Sequence, residues 1–412
     1  MSMEQNAVVR WVDSGEIADN ALAPGGLIRK FVGFLRHAAA HERAYAVKAL
    51  ARVYFEADIS PEDRISAEAA LTLVIDDPSD IVRAALADAI CHRHDAPRHL
   101  ILSLASDQGT NAALIAHRSP LLLDSELVEM LAAGDERMQR AIAGRRPLSA
   151  AVSAAIAEIG MAEACVTLLE NDAAQIAPFS LARLAGRHGE HGSVRDLLLA
   201  RDDLPVSLRQ SLIVDLSNVL GSFLAENSWL SASRAHDVTR DALDQATIDL
   251  ARAPPGEYVD DLVSHLMETG QLTPVLMLRA LCSGGFVFNE AVFVRLSGLP
   301  QRKVAALMQD AGGDGFRALY RRCRLPADAL PAFEVALSTI RETAMPDRAA
   351  GDYHFSRQVL ERILTRYEGF VSSESDHLLL LLRRYAAAAA RDEAQAFARD
   401  CLLEDDEALH AA

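Results

Sequence analysis

An acidic turn that recurs along the chain constrains its fold more than any other sequence feature. In residues 71–90, LTLVIDDPSDIVRAALADAI, an apolar helix ends at an acidic, proline-containing turn, and a second apolar helix begins after it. Comparable turns recur 28 to 37 residues apart, and their acids are Asp77, Asp107, Asp135, Asp172 and Asp202. This period is typical of stacked helical hairpins, because one hairpin cannot bury its own apolar face. The pattern predicts an α-solenoid in the N-terminal half.

Composition extends the helical prediction to the whole chain. Glycine (22 residues) and proline (15 residues) are sparse, and aromatic residues make up only 5% of the 412 positions. Few helix breakers and few β-favouring residues predict an all-α protein. We predict a helical-repeat domain over 1–225, a compact multi-helix domain over 226–345 and a C-terminal helical hairpin over 346–412. Ser60-Pro61 and Thr273-Pro274 each predict a helix start, with a capping side chain followed by proline at the first helical position.

Several short motifs lie in the repeat region. They are Leu104-Ala105-Ser106-Asp107, Ser119-Pro120-Leu121-Leu122, the segment from Gln139 to Arg145, and Leu148-Ser149. Together with Val82-Arg83 after the Asp77 turn, they resemble a bacterial family of unknown function with HEAT-like helical repeats. The resemblance covers 71–220, with a looser echo over 272–326. It implies a HEAT-like solenoid and carries over no catalytic residue.

The charge balance disfavours some classes of partner and location. The chain has a net charge of -17 and a pI of about 5.2, so its surface repels phosphate backbones and anionic membranes. No apolar run approaches the roughly 18 residues that a membrane-spanning helix requires. The five cysteines are isolated in the sequence, which is typical of a reducing compartment. The N-terminal residues show no secretory signal pattern. We therefore expect a cytoplasmic protein.

Clusters of histidine and cysteine raise the question of a metal site. The densest cluster consists of Cys91, His92, His94 and His99. Zinc binds thiolate and imidazole groups, but neighbouring side chains at a helix end point apart. The alternative interpretation places the cysteine in the core and the histidines near a helix C-terminus. His37 and His41 have metal-ligand spacing without a third ligand, and His188 and His191 fit a polar turn. We predict no metal and no cofactor.

Two arginine stripes are the candidate partner-binding residues. They are Arg137, Arg140, Arg145 and Arg146 in the first, and Arg317, Arg321, Arg322 and Arg324 in the second. Arginine forks suit carboxylate and phosphate groups, although charge runs are usually solvated faces that pair with the protein's own acids. The glycine-rich segment 311–315 lacks the lysine and hydroxyl residues of a phosphate-binding loop, so a tight turn is the simpler interpretation.

Two functions remain open on the sequence. The first is a non-catalytic scaffold or adaptor that binds other proteins through the repeat surface, in bacterial signalling or regulation. The second is a nucleic-acid-binding protein that uses its repeats as HEAT-like DNA glycosylases do, which would require a basic face with aromatic groups. The acidic charge makes nucleic acid the less favoured partner, and no catalytic motif indicates an enzyme. The C-terminal hairpin leaves a homodimer open.

Overall fold

The computed structural model describes residues 26–343 and short stretches between 360 and 398, without residues 108, 253–256, 311 and 312. All regular structure in this described part is helical, and no β-strand occurs in it. The predicted all-α class is therefore confirmed. None of these helices combines the length and the apolar character that crossing a membrane requires.

The chain divides into two compact units, residues 1–204 and 205–412. The helices of the first unit are α1 (Gly26–His37), α2 (Ala40–Glu56), α3 (Pro61–Leu73), α4 (Asp80–Ile90), α5 (Arg98–Ala105), α6 (Thr110–Arg118), α7 (Asp124–Ala133), α8 (Glu136–Ala143), α9 (Ala150–Ile159), α10 (Ala162–Glu170), α11 (Pro178–His188) and α12 (Gly192–Ala200). Those of the second unit are α13 (Val206–Glu226), α14 (Ala232–Arg252), α15 (Glu257–Glu268), α16 (Pro274–Cys282), α17 (Phe286–Ser297), α18 (Gln301–Gln309), α19 (Asp314–Arg322) and α20 (Leu330–Thr343). The three-part division at 225 and 345 stays a prediction.

Local sequence explains where several helices begin. The Ser60 hydroxyl accepts a hydrogen bond from the backbone N–H of Asp63 (3.1 Å), and the following proline opens α3. Thr273 caps α16 in the same way, again followed by proline. Both predicted helix starts are confirmed. The turn acid Asp135 caps α8 by accepting from the N–H of Met138 (2.9 Å), which satisfies a backbone donor that the helix itself cannot.

Many helices of the first unit contact the helix that lies two places further along the chain. We call α2, α4, α6, α8, α10 and α12 the even-helix row, because each contacts the next in this set. In the same way α7 contacts α9, and α9 contacts α11. Helices adjacent in sequence, such as α11 and α12, also touch. These are the contacts that stacked hairpins require, and the HEAT-like assignment of the stack stays a prediction.

Arginine–aspartate pairs join successive hairpins of the stack. Arg43 of α2 donates to both carboxylate oxygens of Asp77, at 2.9 and 2.8 Å, and Asp77 also accepts from the N–H of Ser79 at 2.8 Å. Arg83 of α4 makes the corresponding bond to Asp107 at 2.9 Å and reaches the backbone oxygen of Asp77 at 2.7 Å. Two of the recurring turn acids therefore act as acceptors for arginines of another helix.

Later hairpins use backbone oxygens as acceptors instead. The buried amide of Asn171 donates to the carbonyls of Ala143 and Arg145, at 2.9 and 2.7 Å. Arg187 of α11 donates to the carbonyls of Ala157 and Gly160, at 2.8 and 3.0 Å. These bonds satisfy carbonyl groups at helix ends, which have no partner within their own helix.

The second unit has a core rich in aromatic side chains. Phe293 is fully buried and makes edge-to-face contacts with Phe316 (5.8 Å between ring centroids) and Phe333 (6.4 Å). Tyr320 lies against Phe333 and donates its hydroxyl to the carbonyl of Pro326 at 2.8 Å. The few aromatic residues of the chain therefore supply much of this core, whereas alanine and branched aliphatic residues fill the first unit.

Only parts of the C-terminal segment belong to the described structure. Leu360 and Tyr385 are buried in the core of the second unit. The guanidinium of Arg279, itself buried, lies over the Tyr385 ring at 4.6 Å. Most of the predicted hairpin over 346–412 lies outside the described residues.

Candidate binding surface

Three of the first four helices of the even-helix row expose a set of cationic side chains. We call this set the basic face; its members are Lys48 and Arg52 on α2, Arg118 at the end of α6, and Arg137 and Arg140 on α8. On α2, the residues at 46, 47, 50 and 51 are buried, which turns positions 48 and 52 towards solvent. On α8, Gln139 and Ile142 are buried and both arginines are exposed.

Polar contacts between α2, α4 and α6 make the basic face continuous. Lys48 donates to the Asp88 carboxylate at 2.9 Å. This hydrogen bond is the largest cause of a lowered pKa at Asp88, and the charges of Arg118 and His92 lower it further. Side chains from α2, from the end of α6 and from the turn after α4 therefore surround one carboxylate. The Cys91 thiol lies buried beside them, and burial raises its pKa despite the opposing effect of Arg118.

Contacts between α6 and α8 continue the same surface. His117, next to Arg118, lies 2.9 Å through Nδ1 from the carbonyl oxygen of Ala141. Because that oxygen can only accept, Nδ1 carries the proton. A Cβ placed on Gly144 would lie 3.2 Å from the His117 ring, so the two helices are close at this point. This contact places the exposed face of α8, with Arg140, beside the end of α6.

Exposed apolar residues accompany the cations. Tyr45, three residues before Lys48, is 49% exposed, and Ile81 at the start of α4 is 62% exposed. Further along the row the surface becomes acidic, with exposed Glu163 and Glu170 on α10. The basic face is therefore a local region of positive charge and apolar contact in a chain of net charge -17.

The structure divides the first predicted arginine stripe into two kinds of residue. Arg137 and Arg140 are exposed and make no side-chain hydrogen bond or ion pair with any described residue. Arg145 instead donates to the carbonyl oxygens of Ala116 and Ser119, the latter at 2.8 Å. Burial lowers the pKa of Arg145, which is consistent with a structural position between hairpins.

Some of the remaining predicted arginines bind other groups of the protein, and others face solvent without a partner among the described residues. Arg146 is exposed and pairs with Asp172 at 3.0 Å. Arg317 pairs with Glu334 at 2.8 Å, and Arg322 donates to a backbone carbonyl at 2.8 Å. Arg321 and Arg324 are exposed without a side-chain partner among the described residues. Helical spacing alone did not separate arginines that hold the fold from those that face solvent.

Of the four candidate metal-ligating residues, Cys91 and His92 lie next to each other, with 3.7 Å between Sγ and Nδ1. Cys91 is fully buried, whereas His92 and His94 are exposed. His99 lies 3.0 Å from the hydroxyl of Thr72 and 3.9 Å from the Glu68 carboxylate. Across the described part of the chain, no group of three or more histidine, cysteine or acidic side chains is placed to hold a metal ion.

Sequence reasoning missed Lys48, Arg52 and Arg118 as members of the face. Lys48 and Arg52 have the four-residue spacing of one helix face, which is a weak signal by itself. Arg118 is a single residue at a helix end. Their place on the same surface as Arg137 and Arg140 depends on the stacking of α2, α4, α6 and α8, which are distant in sequence.

The helix stack and the basic face define an all-helical protein with a charged surface region. A family model described as an uncharacterised protein conserved in bacteria, DUF2336, matches residues 112–373. The chain belongs to this family. The match begins within α6 and includes α8, α10 and α12 of the even-helix row and most of the second unit. It starts further along the chain than the resemblance over 71–220 implied. No curated protein and no solved structure matches the chain.

Proposed function

We propose that this protein is a non-catalytic scaffold or adaptor in bacterial signalling or regulation, and that its basic face binds an acidic segment of a partner protein. The observation that carries the proposal is the pair Arg137 and Arg140, which face solvent without a partner among the described residues. Arginine forks bind carboxylates in a bidentate manner and desolvate more easily than lysine. An acidic segment would supply the carboxylates that these two side chains lack.

The surroundings of this pair support a protein partner. Tyr45 and Ile81 add apolar area to the basic face, and interfaces between proteins combine apolar contacts with a polar rim. Nucleic acid would require stacking groups as well as cations, and Tyr45 is the single aromatic residue among those that we assign to this surface.

Charge reversal of two matched arginine pairs tests the proposal. Arg137→Glu with Arg140→Glu alters the basic face, whereas Arg321→Glu with Arg324→Glu alters an exposed pair with the same spacing in the second unit. Both double variants change the net charge equally. Tagged full-length proteins are used for affinity capture from extract of the source organism, with quantitative mass spectrometry of the retained proteins.

The proposal expects a stoichiometric acidic partner with the natural sequence and with the control pair. The first double variant should retain it at least tenfold less, since each desolvated charged hydrogen bond contributes about 1.5–3 kcal/mol. Equal retention by both variants would place the binding surface elsewhere. Nuclease-sensitive capture that disappears at moderate salt would instead identify nucleic acid as the ligand.

A further inference from the structure

The second half of α13 exposes large apolar side chains. We call the apolar stripe the set Leu216, Val219, Leu220 and Phe223, with Trp229 after the helix and Val238 on α14. These six side chains belong to residues that are 37% to 68% exposed. On α13 the spacing of three and four residues places the four members on one side of the helix. Phe223 and Trp229 contact each other edge to face, with 5.4 Å between their ring centroids.

The side of α13 that packs against α14 carries small residues instead. The Ser217 hydroxyl donates to the backbone oxygen of Thr239 at 3.0 Å. A Cβ on Gly221 would lie 3.3 Å from the Thr239 hydroxyl, so the two helices approach closely there. In an ordinary amphipathic hairpin the large apolar residues face the neighbouring helix. Here they face solvent, which is the pattern of a helix that has a second packing partner.

We infer that the apolar stripe is a self-association surface, and that a second copy of this chain covers it. Two helical hairpins that pack through such stripes form a four-helix arrangement, in which each hairpin buries what the other exposes. Identical surfaces related by a twofold axis give the commonest form of oligomer. The inference concerns a different surface from the basic face and does not depend on the proposed function.

The exposed area of the apolar stripe is large enough to form the centre of a dimer interface. Six large apolar side chains at about half exposure present roughly 500 Å², if each offers on the order of 170 Å² in full. The largest apolar patch of a typical monomer is about 300–600 Å² and is often functional. A standard interface buries about 800 Å² on each partner. The apolar stripe would supply more than half of this area, and the polar residues around it would have to supply the rest.

The charge around the stripe permits identical copies to meet. Between residues 215 and 240 the acids are Asp215, Glu226 and Asp237, and the arginines are Arg234 and Arg240. This segment is nearly neutral, although the whole chain carries -17. Surfaces of like charge repel each other at low salt, and a nearly neutral segment avoids this repulsion. The apolar stripe is thus a surface on which two acidic chains can associate with little repulsion.

Two substitutions at one residue test the inference on the full-length protein. Phe223→Asp places a carboxylate in the stripe, whereas Phe223→Leu keeps it apolar. Val287→Asp is the control, because Val287 is 61% exposed on α17 and is not part of the stripe. Molar mass is measured by sedimentation velocity from about 1 to 100 µM, the range in which a dimer with a micromolar dissociation constant dissociates on dilution. Circular dichroism confirms that each variant is folded.

We expect a dimer for the natural sequence, Phe223→Leu and Val287→Asp, and a monomer for Phe223→Asp with an unchanged helical spectrum. In a Trp11→Phe background, where Trp229 is the one remaining tryptophan of the sequence, its emission should shift to the red when the dimer dissociates on dilution. A natural protein that stays monomeric throughout, or a Phe223→Asp protein that stays dimeric, would overturn the inference. If Phe223→Asp fails to fold, the Phe223→Leu protein is used instead. A red shift of Trp229 emission over the dilution range in which its molar mass falls from dimer to monomer supports the inference, and dissociation without that shift overturns it.

Discussion

Replacing Arg43 by methionine should destabilise the first unit, because it removes the bidentate partner of a buried carboxylate. The Asp77 side chain is 7% exposed and that of Arg43 is 15% exposed. Burial alone would raise the pKa of Asp77, but the hydrogen bonds from Arg43 and the Ser79 N–H outweigh it and lower the pKa. The variant would leave this carboxylate with the single backbone donor and the more distant charge of Arg83.

The expected cost is about 3 kcal/mol. Breaking a buried ion pair by removing one partner costs about 3–5 kcal/mol, and the lower end applies because Asp77 keeps the Ser79 bond. For a unit of this size, 1 kcal/mol corresponds to about 2–4 °C in Tm. Differential scanning calorimetry of the full chain should therefore show a transition lowered by roughly 6–12 °C.

The double variant Arg43→Met with Asp77→Asn isolates the interaction. It should be less destabilised than the sum of the single variants by about 1–3 kcal/mol, since residues in one network are not additive. The lowered pKa means that the pair stabilises the fold at neutral pH, and that this contribution is lost as pH falls through the folded-state pKa. Additive single effects, or a Tm at pH 7 within 2 °C of the natural protein by the scaling above, would refute the reasoning.

Three further predictions concern the same unit. Arg145→Met should lower its unfolding free energy by about 2 kcal/mol, since backbone carbonyls lose a charged donor, whereas Arg140→Met should stay within about 0.5 kcal/mol; urea titration measures both. Asn171→Ala should cost about 2 kcal/mol in the same assay, because two buried carbonyls lose their donor. Cys91 should be alkylated at pH 8 far more slowly in the folded protein than in urea, since burial raises its pKa; peptide mapping measures the rate, and Arg118→Ala should slow it further.

Local sequence signals predicted local structure well. The caps at Ser60 and Thr273 depend on three or four neighbouring residues, and the structure confirms both helix starts. The recurrence of the turn acids was visible in the sequence, but the arginines that bind them were not. Arg43 and Asp77 are separated by 34 residues, so their pairing is visible only after the helices stack.

The basic face shows the same limit. Arg140 and Arg145 were predicted together, yet one faces solvent and the other holds backbone oxygens of an earlier hairpin. The difference arises because α8 ends at Ala143, which places Arg145 in the connection rather than on the helix surface. The apolar stripe was missed because its residues have the ordinary spacing of a core-facing helix side, and only the packing against α14 reveals that this side faces solvent.

The most direct test of the proposed scaffold is site-specific photo-crosslinking in living cells of the source organism. A photoreactive phenylalanine analogue replaces Tyr45 on the basic face in one strain and Phe179, which is 66% exposed on α11, in another. Both positions are exposed aromatic residues of the first unit, so incorporation and reactivity are matched. The proposal predicts a discrete adduct to an acidic protein from position 45 that disappears with Arg137→Glu and Arg140→Glu, and no such adduct from position 179. An adduct only from position 179, or one from position 45 that survives the charge reversal, would contradict it.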